Sequence, residues 1–523
     1  MDKVNRFEYL FLALIVFLTI VRVFFGIDFS DEAQYVSQAF SPFVAGGFFK
    51  SDYFIQQILY FFYYPIIWVY FIFFGTSGSF LFLRILFVLE AIIASWFIYR
   101  YTSERFGVRR SLLLSAGIVA FTPFSIFSIS YNNILCHFLP VILAFHFFYS
   151  KKSKLDSLFV GFLMVVTMFS YPPFLVMIVI LFCLTFFGNK IWLPIRHDPM
   201  VWVVFFVASM VFSGFLLVFY REGIFDAFSF SSTFAKLRPL DKIFLLLSQI
   251  KKIGLVFLLL VAVSFSPVIK RKIAISSKFV FFLIFAYCLY VFRGQLIPSH
   301  NLILSLFITI IVYFSFNRIS LNKDVLLFVT LCGIMSFVCS YSSSNGIINS
   351  SIPLVVPTFV LVFSHISTNR FSIGCIWGIV FLILLTNYTY FYREDSFNKL
   401  NSRIETGPYK GLITSNYRKN ILKEFDLVVS KLTDSPGRDI RLLSFFFPAV
   451  YTYSKFIPET RMFYVHDAFF SNDQKIFLFD GLKPDFLLIF KESSTQTRDE
   501  LMRSVCINCN LFLETNFFSV YKI

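Results

Sequence analysis

Long apolar runs, separated by short clusters of Lys and Arg, fill the chain from residue 7 to residue 391. A run of about twenty apolar residues is long enough to cross a bilayer as a helix. The pattern predicts spans at about 7–27, 80–99, 111–130, 134–149, 157–171, 174–187, 200–220, 253–269, 279–292, 301–316, 324–340, 352–366 and 371–391. Ile58–Phe74 could also span by length. Counting it would put the Arg100–Arg110 cluster outside and reverse every later loop, so it is read as a juxtamembrane segment. Its Tyr and Trp residues suit the interface. After Tyr390 the chain turns polar. Arg438–Phe447 and Pro484–Phe490 read as buried strands, and Ser415–Leu432 as an amphipathic helix with Ser415 near its cap. The expected fold class is an α-helical polytopic membrane protein of about 13 transmembrane helices with a C-terminal soluble α/β domain. The expected division is residues 1–391, with an outer loop at 28–79, and residues 392–523.

Composition agrees. Only 15% of residues are charged and 58% are hydrophobic; a soluble domain has about 25% charged. A net charge of +16 would suggest a nucleic-acid partner in a soluble protein. Here the cations lie between apolar runs, so they report orientation and no nucleic acid is expected. With the N-terminus cytoplasmic, the clusters Arg100–Arg110, Lys151–Lys154 and Lys270–Lys278 fall inside. The exceptions gather in one loop with Arg221, Lys236, Arg238, Lys242, Lys251 and Lys252. The C-terminal domain then lies outside, where Cys506 and Cys509 could form a disulfide. The other cysteines lie in apolar stretches, as small hydrophobes. No Gly-rich phosphate loop, zinc motif or nucleotide fingerprint is present, so neither cofactor nor metal is expected.

The sharpest local feature is Phe29-Ser30-Asp31-Glu32-Ala33-Gln34-Tyr35, just past the first span. With Asp28 it gathers acids at the lip of the bilayer, which is costly unless they are hydrated or used. A carboxylate here could take a proton from an acceptor hydroxyl attacking a sugar carbon. Alternatively, Ser30 or Asp31 only caps a helix. Glu90, mid-span, needs a partner or water, and the sequence names none. His137 and His146 read as packed residues.

The F-S-D-E-A-Q-Y stretch resembles the first-loop motif of GT-C membrane glycosyltransferases, in the branch of lipid A aminoarabinose transferases and protein O-mannosyltransferases. The likeness continues through Asp52–Gln57 and through Gly75-Thr76-Ser77-Gly78, with Arg84 downstream. It implies transfer of a sugar from a polyprenyl-phosphate donor on the outer face, with Asp31 as catalytic acid and Glu32 its neighbour. Where the family has a Lys and a Pro pair, this chain has Gln56, Gln57 and Ile58. The donor phosphate is therefore expected to be held by Arg84 or Arg293, or by the basic loop, with Gln56 and Gln57 beside it. Related enzymes often carry an Asp where this chain has Asn132 and Asn133. Those two, with Asp28 and Tyr35, are expected to bind acceptor or sugar.

Gly407–Ser415 and Phe447-Pro448-Ala449 look like segments of uncharacterised bacterial membrane glycosyltransferases. Size and setting resemble the serotype-converting glucosyltransferases. That resemblance implies glucose as the sugar, lipopolysaccharide O-antigen or another surface glycan as acceptor, and a multi-pass protein of the bacterial inner membrane with a periplasmic C-terminal domain. The competing classes are a polysaccharide flippase or carrier, which would show inverted repeats, and an O-antigen polymerase.

Overall fold

The computed structural model describes residues 6–523 apart from 51, 53, 188–197, 234–239, 250–276, 294–296, 318, 344–345, 366–369, 434–439, 446, 454–455, 459, 461–481 and 493–508. The predicted span 253–269 lies outside the described residues, as do Lys236, Arg238, Lys251, Lys252 and Cys506. The apolar part is a helix bundle. It contains α1 (Arg6–Arg22), α4 (Ser79–Phe106), α5 (Val108–Ala120), α6 (Tyr131–Phe147), α7 (Lys154–Ser170), α8 (Leu175–Phe187) and α9 (Pro199–Phe219). Later helices are Ser277–Phe292, Pro298–Asn317, Lys323–Ser342, Val355–His365 and Arg370–Thr389. Between α1 and α4 lie α2 (Asp31–Val44) and α3 (Leu59–Phe74). Among the described residues, 6 helices are long and apolar enough to cross a membrane, and the window around α3 is one of them.

The surface of the bundle suits lipid. On α4, Ile85, Leu89, Ile93 and Trp96 recur every three or four residues and are each about half exposed. So continuous an apolar stripe would be a liability in water. The opposite side of α4 packs on α5, which is buried throughout from Ser111 to Ala120.

One predicted span is shortened. The run 111–130 becomes a helix that ends at Ala120, followed by extended backbone and a 3-10 turn at Pro123–Ser125. Pro123 is the cause, because a residue before proline is driven out of the helical region and Thr122 is extended. Phe124 and Ser125 then take left-handed φ values of 57° and 56°. Irregular backbone of this kind is tolerated in a membrane bundle only where protein surrounds it or a cavity is lined.

Glu90 has its partners. The Tyr63 hydroxyl donates to one carboxylate oxygen at 2.6 Å and His137 Nδ1 lies 2.6 Å from the other. The pair ties α3 and α6 to α4. The Tyr60 hydroxyl donates to the Ile129 carbonyl at 2.9 Å, so the start of α3 sits beside the turn that opens α6.

The polar C-terminal part contains a five-stranded sheet of order β4-β3-β5-β7-β6. Its strands are β3 (Ile440–Phe445), β4 (Phe456–Pro458), β5 (Phe486–Phe490), β6 (Asn510–Glu514) and β7 (Phe518–Lys522). The β3 strand runs parallel to β4 and β5, while β7 is antiparallel to β5 and β6. The helix Asn416–Thr433 covers the sheet with Ile421, Leu422, Phe425, Val428 and Leu432 on its buried face. The Ser415 hydroxyl accepts from the Arg418 N–H, as a cap should. Cys509 is disulfide-bonded.

A small hairpin, β1 (Leu400–Arg403) with β2 (Ile413–Ser415), fastens this part to the bundle. Ile413 exchanges backbone hydrogen bonds with Phe24 and Gly26, at 2.7 and 2.8 Å. The hairpin tip meets the start of α4, where the Gly78 N–H donates to the Gly407 carbonyl at 3.0 Å. Gly78 has φ +72°, and a Cβ there would stand 3.0 Å from the Tyr70 hydroxyl, so both conformation and space favour glycine. Tyr409 completes the joint. Its ring stacks on Phe80 at 3.8 Å and meets Phe29 edge-on at 5.7 Å. The two segments singled out in the sequence, Gly75–Gly78 and Gly407–Ser415, are thus opposite sides of one interface.

Candidate functional site

The motif after α1 forms a tight turn and then a helix. Asp28 makes the turn: its Oδ1 accepts from the Ser30 N–H at 2.9 Å and from the Ser30 hydroxyl, and its Oδ2 accepts from the Glu32 N–H at 2.9 Å. The Glu32 N–H is an orphan donor of the helix start, so Asp28 supplies the cap that the sequence offered to Ser30 or Asp31. Asp28 is buried and turned inward, which corrects its expected place among the sugar-binding groups.

The next two acids part company. Glu32 is 2% exposed, and both its oxygens are held by Arg84, from Nε at 2.6 Å and from Nη2 at 2.6 Å. Arg84 also donates to the carbonyls of Val23, Phe25 and Gly26, at 2.8, 3.2 and 2.9 Å. All five guanidinium N–H groups are used inside the protein. Arg84 therefore has no donor left for a lipid phosphate, and the expectation that it holds one is corrected. Glu32, closed by the same pair, fixes the fold of the turn.

Asp31 points the other way and keeps partial exposure. The Tyr392 hydroxyl donates to its Oδ2. Burial raises the Asp31 pKa to about 6, with Asp28 pushing the same way. The Arg393 charge and the Tyr392 hydrogen bond pull it back. Tyr392 and Arg393 follow the last helix of the bundle and were missed by sequence reading. Arg393 is exposed and has a left-handed φ of 53°, a strain that non-glycine residues rarely carry. Beside it the Glu394 side chain is enclosed, accepting from the Ile27 N–H at 3.0 Å and the Ser415 hydroxyl at 3.1 Å. Arg22, also missed, lies over the Phe391 ring at 3.7 Å and donates to the Asn387 carbonyl at 2.6 Å. Arg22, Glu32, Arg84 and Glu394 surround a cavity of about 20 Å³, enough for one water.

Polar groups continue along α2 from Asp31. Gln34, Tyr35 and Gln38 share with it an arc about 100° wide. Tyr35 meets Tyr131 edge-on at 6.3 Å, and Tyr131 stacks on Tyr171 at 5.9 Å. Gln38 Nε2 donates to Asp52 Oδ2 at 2.9 Å. Burial lifts the Asp52 pKa to about 7. Several amide atoms here are buried with no partner among the described residues, namely Gln34 Nε2, Gln38 Oε1, Gln56 Oε1 and Asn132 Oδ1. Buried polar atoms are normally satisfied, so unfilled valences in one region suit a polyhydroxyl ligand or ordered water.

The remaining expected residues divide. Gln57 is buried, accepting from the Phe49 N–H at 2.8 Å and donating to the Asp52 carbonyl, so it braces its own loop and faces no ligand. Asn133 donates to the Ser128 carbonyl and braces the turn into α6. Arg293 is exposed at the end of Ser277–Phe292 and makes no hydrogen bond or ion pair with the described residues of the α2 cluster. Among the described residues no cluster could hold a metal ion.

No protein-family model matches the chain, and no curated protein matches it in sequence. Two solved structures are similar in fold. One is ArnT from Cupriavidus metallidurans bound to undecaprenyl phosphate, at 13% identity and a TM-score of 0.43, covering 98% of this chain and 97% of that one. The other is the same protein in the apo state, at 12% identity and a TM-score of 0.41, with the same coverage.

Proposed function

We propose that the protein is a GT-C type membrane glycosyltransferase of the bacterial inner membrane. In this reading it moves a sugar from a polyprenyl-phosphate donor to a surface glycan on the periplasmic face. The observation that carries the reading is Asp31: a partly open carboxylate at the mouth of a membrane bundle, beside tyrosines and unfilled amides. Asp31 takes the acceptor hydroxyl proton as the oxygen bonds the anomeric carbon. The bond from that carbon to the phosphate oxygen breaks, and its electron pair leaves with the lipid phosphate. A single displacement inverts the anomeric centre. Tyr392 orients the base. Tyr35, Tyr131, Gln34 and Asn132 suit the sugar faces and hydroxyls, and Gln56, with a buried Oε1 that has no partner among the described residues, suits them too. Arg393, close enough for its charge to act on Asp31, replaces Arg84 as first counter-charge for the leaving phosphate, with Arg293 second. Glucose as the sugar and O-antigen as the acceptor are the finer part of the proposal.

Mass spectrometry of surface polysaccharide and lipid A, with and without the gene, tests it. Loss of one hexose branch from the polysaccharide in the deletion strain is expected. Unchanged polysaccharide and lipid A would contradict the reading.

A further inference from the structure

A second cavity lies between the α3–α4 turn and the β1–β2 hairpin. Its volume is about 460 Å³. The floor is apolar, made by Tyr70 and Phe74 from α3 and by Leu81, Phe82 and Ile85 from α4. Tyr70 stacks on Phe82 at 3.9 Å, so this wall is packed. The rim is polar and comes from the β1–β2 hairpin, with Arg403, Glu405 and Lys410, giving two cations against one acid. All three are exposed, and neither cation forms an ion pair with a described residue. The hairpin is fixed to α4 by backbone hydrogen bonds at Gly78 and Phe80, so the rim is held over the floor. Gly411 brings it close, since a Cβ there would stand 2.9 Å from Leu81.

The floor is continuous with the apolar surface of the bundle. Ile85 lines the cavity and begins the exposed stripe Ile85, Leu89, Ile93 and Trp96 along α4. A ligand seated here has its head between two cations and a tail that can follow a stripe one side chain wide. Phosphate suits the head, since cations near a membrane surface attract anionic headgroups. The narrow stripe suits one chain better than two. Neither Asp31 nor Tyr392 lines this cavity, and it shares no lining residue with the small cavity beside Arg84 and Glu32.

We infer that the groove between the α3–α4 turn and the β1–β2 hairpin binds a single-chain lipid phosphate, a polyprenyl phosphate, as a docking station apart from the reaction centre. The choice of the polyprenyl chain rests on the proposed donor; the site itself is read from the groove. Lipid would arrive or depart along α4, with Arg403 and Lys410 holding its phosphate.

The test uses the full chain in nanodiscs and a polyprenyl phosphate carrying a photoreactive group near the phosphate. Crosslinks are expected in residues 70–85 and 403–411. Arg403→Glu with Lys410→Glu should weaken binding about tenfold or more, leaving the melting temperature unchanged because both residues are exposed. Polyprenol without phosphate should bind as weakly as polyprenyl phosphate does to the double variant. Binding unchanged in the double variant, or crosslinks confined to other segments, would overturn the site. Equal competition by phosphatidylglycerol would also overturn it, showing a bulk-lipid contact. Asp31→Asn should leave this binding intact, so the docking site and the proposed chemistry fail separately.

Discussion

Asp31→Asn should lower transfer about a hundredfold or more, while the protein inserts and melts as the wild type does. The replacement keeps the size of the side chain and an oxygen to accept from Tyr392, but it cannot take the proton of an attacking hydroxyl. Burial and Asp28 hold the Asp31 pKa at about 6, so the active form is the one above that value. Transfer should be flat above about pH 7 and fall tenfold per unit below pH 6. Tyr392→Phe sharpens the assignment. Its hydrogen bond favours the carboxylate, so its removal should move the acid limb to higher pH. A catalyst that ran unchanged with Asn at position 31, or whose acid limb stayed in place without the Tyr392 hydroxyl, would have its base elsewhere.

Arg84→Gln should damage folding before it damages chemistry. Arg84 is 4% exposed and neutralises a Glu32 that is 2% exposed. Removing one partner of such a pair leaves an uncompensated buried charge, at a cost of about 3–5 kcal/mol. Three backbone carbonyls in the turn after α1 lose their donors as well. The variant should melt far lower and yield little folded protein. Arg84→Lys should be rescued poorly, because an ammonium cannot reproduce the five-donor fork. The double change Glu32→Gln with Arg84→Gln should recover part of the loss, since no lone charge remains. Detergent melting curves of the three variants decide it. A stable Arg84→Gln protein that had merely lost donor affinity would restore the phosphate role read from the sequence.

Most of the fold was legible because it rests on apolar length and period. The strands β3 and β5 and the helix Asn416–Thr433 fall where the polar stretch of sequence places them, because short apolar runs and helical spacing are local signals. The motif around Asp31 was legible for its place after the first span. Three things were not. Which acid faces outward depends on a long-range contact, since Arg84, 52 positions away, claims Glu32. The sequence shows two adjacent acids and a downstream arginine, and nothing local says that they neutralise one another. Tyr392 and Arg393 come to Asp31 only when the last helix packs beside α1, 361 positions from the motif in the case of Tyr392. Glu90 lacked a named partner for the same reason, because His137 reaches it across α4 and α6. The Thr122-Pro123 break was readable in principle from proline alone, but the apolar run masked it.

The most direct test supplies the purified protein with two donors in turn. One is a polyprenyl-phosphate glucose in lipid, the other the corresponding soluble nucleotide sugar without lipid carrier, each with a surface glycan as acceptor. The account predicts transfer from the lipid donor, abolished by Asp31→Asn, and none from the nucleotide sugar. Turnover of the nucleotide sugar without a lipid carrier would contradict it.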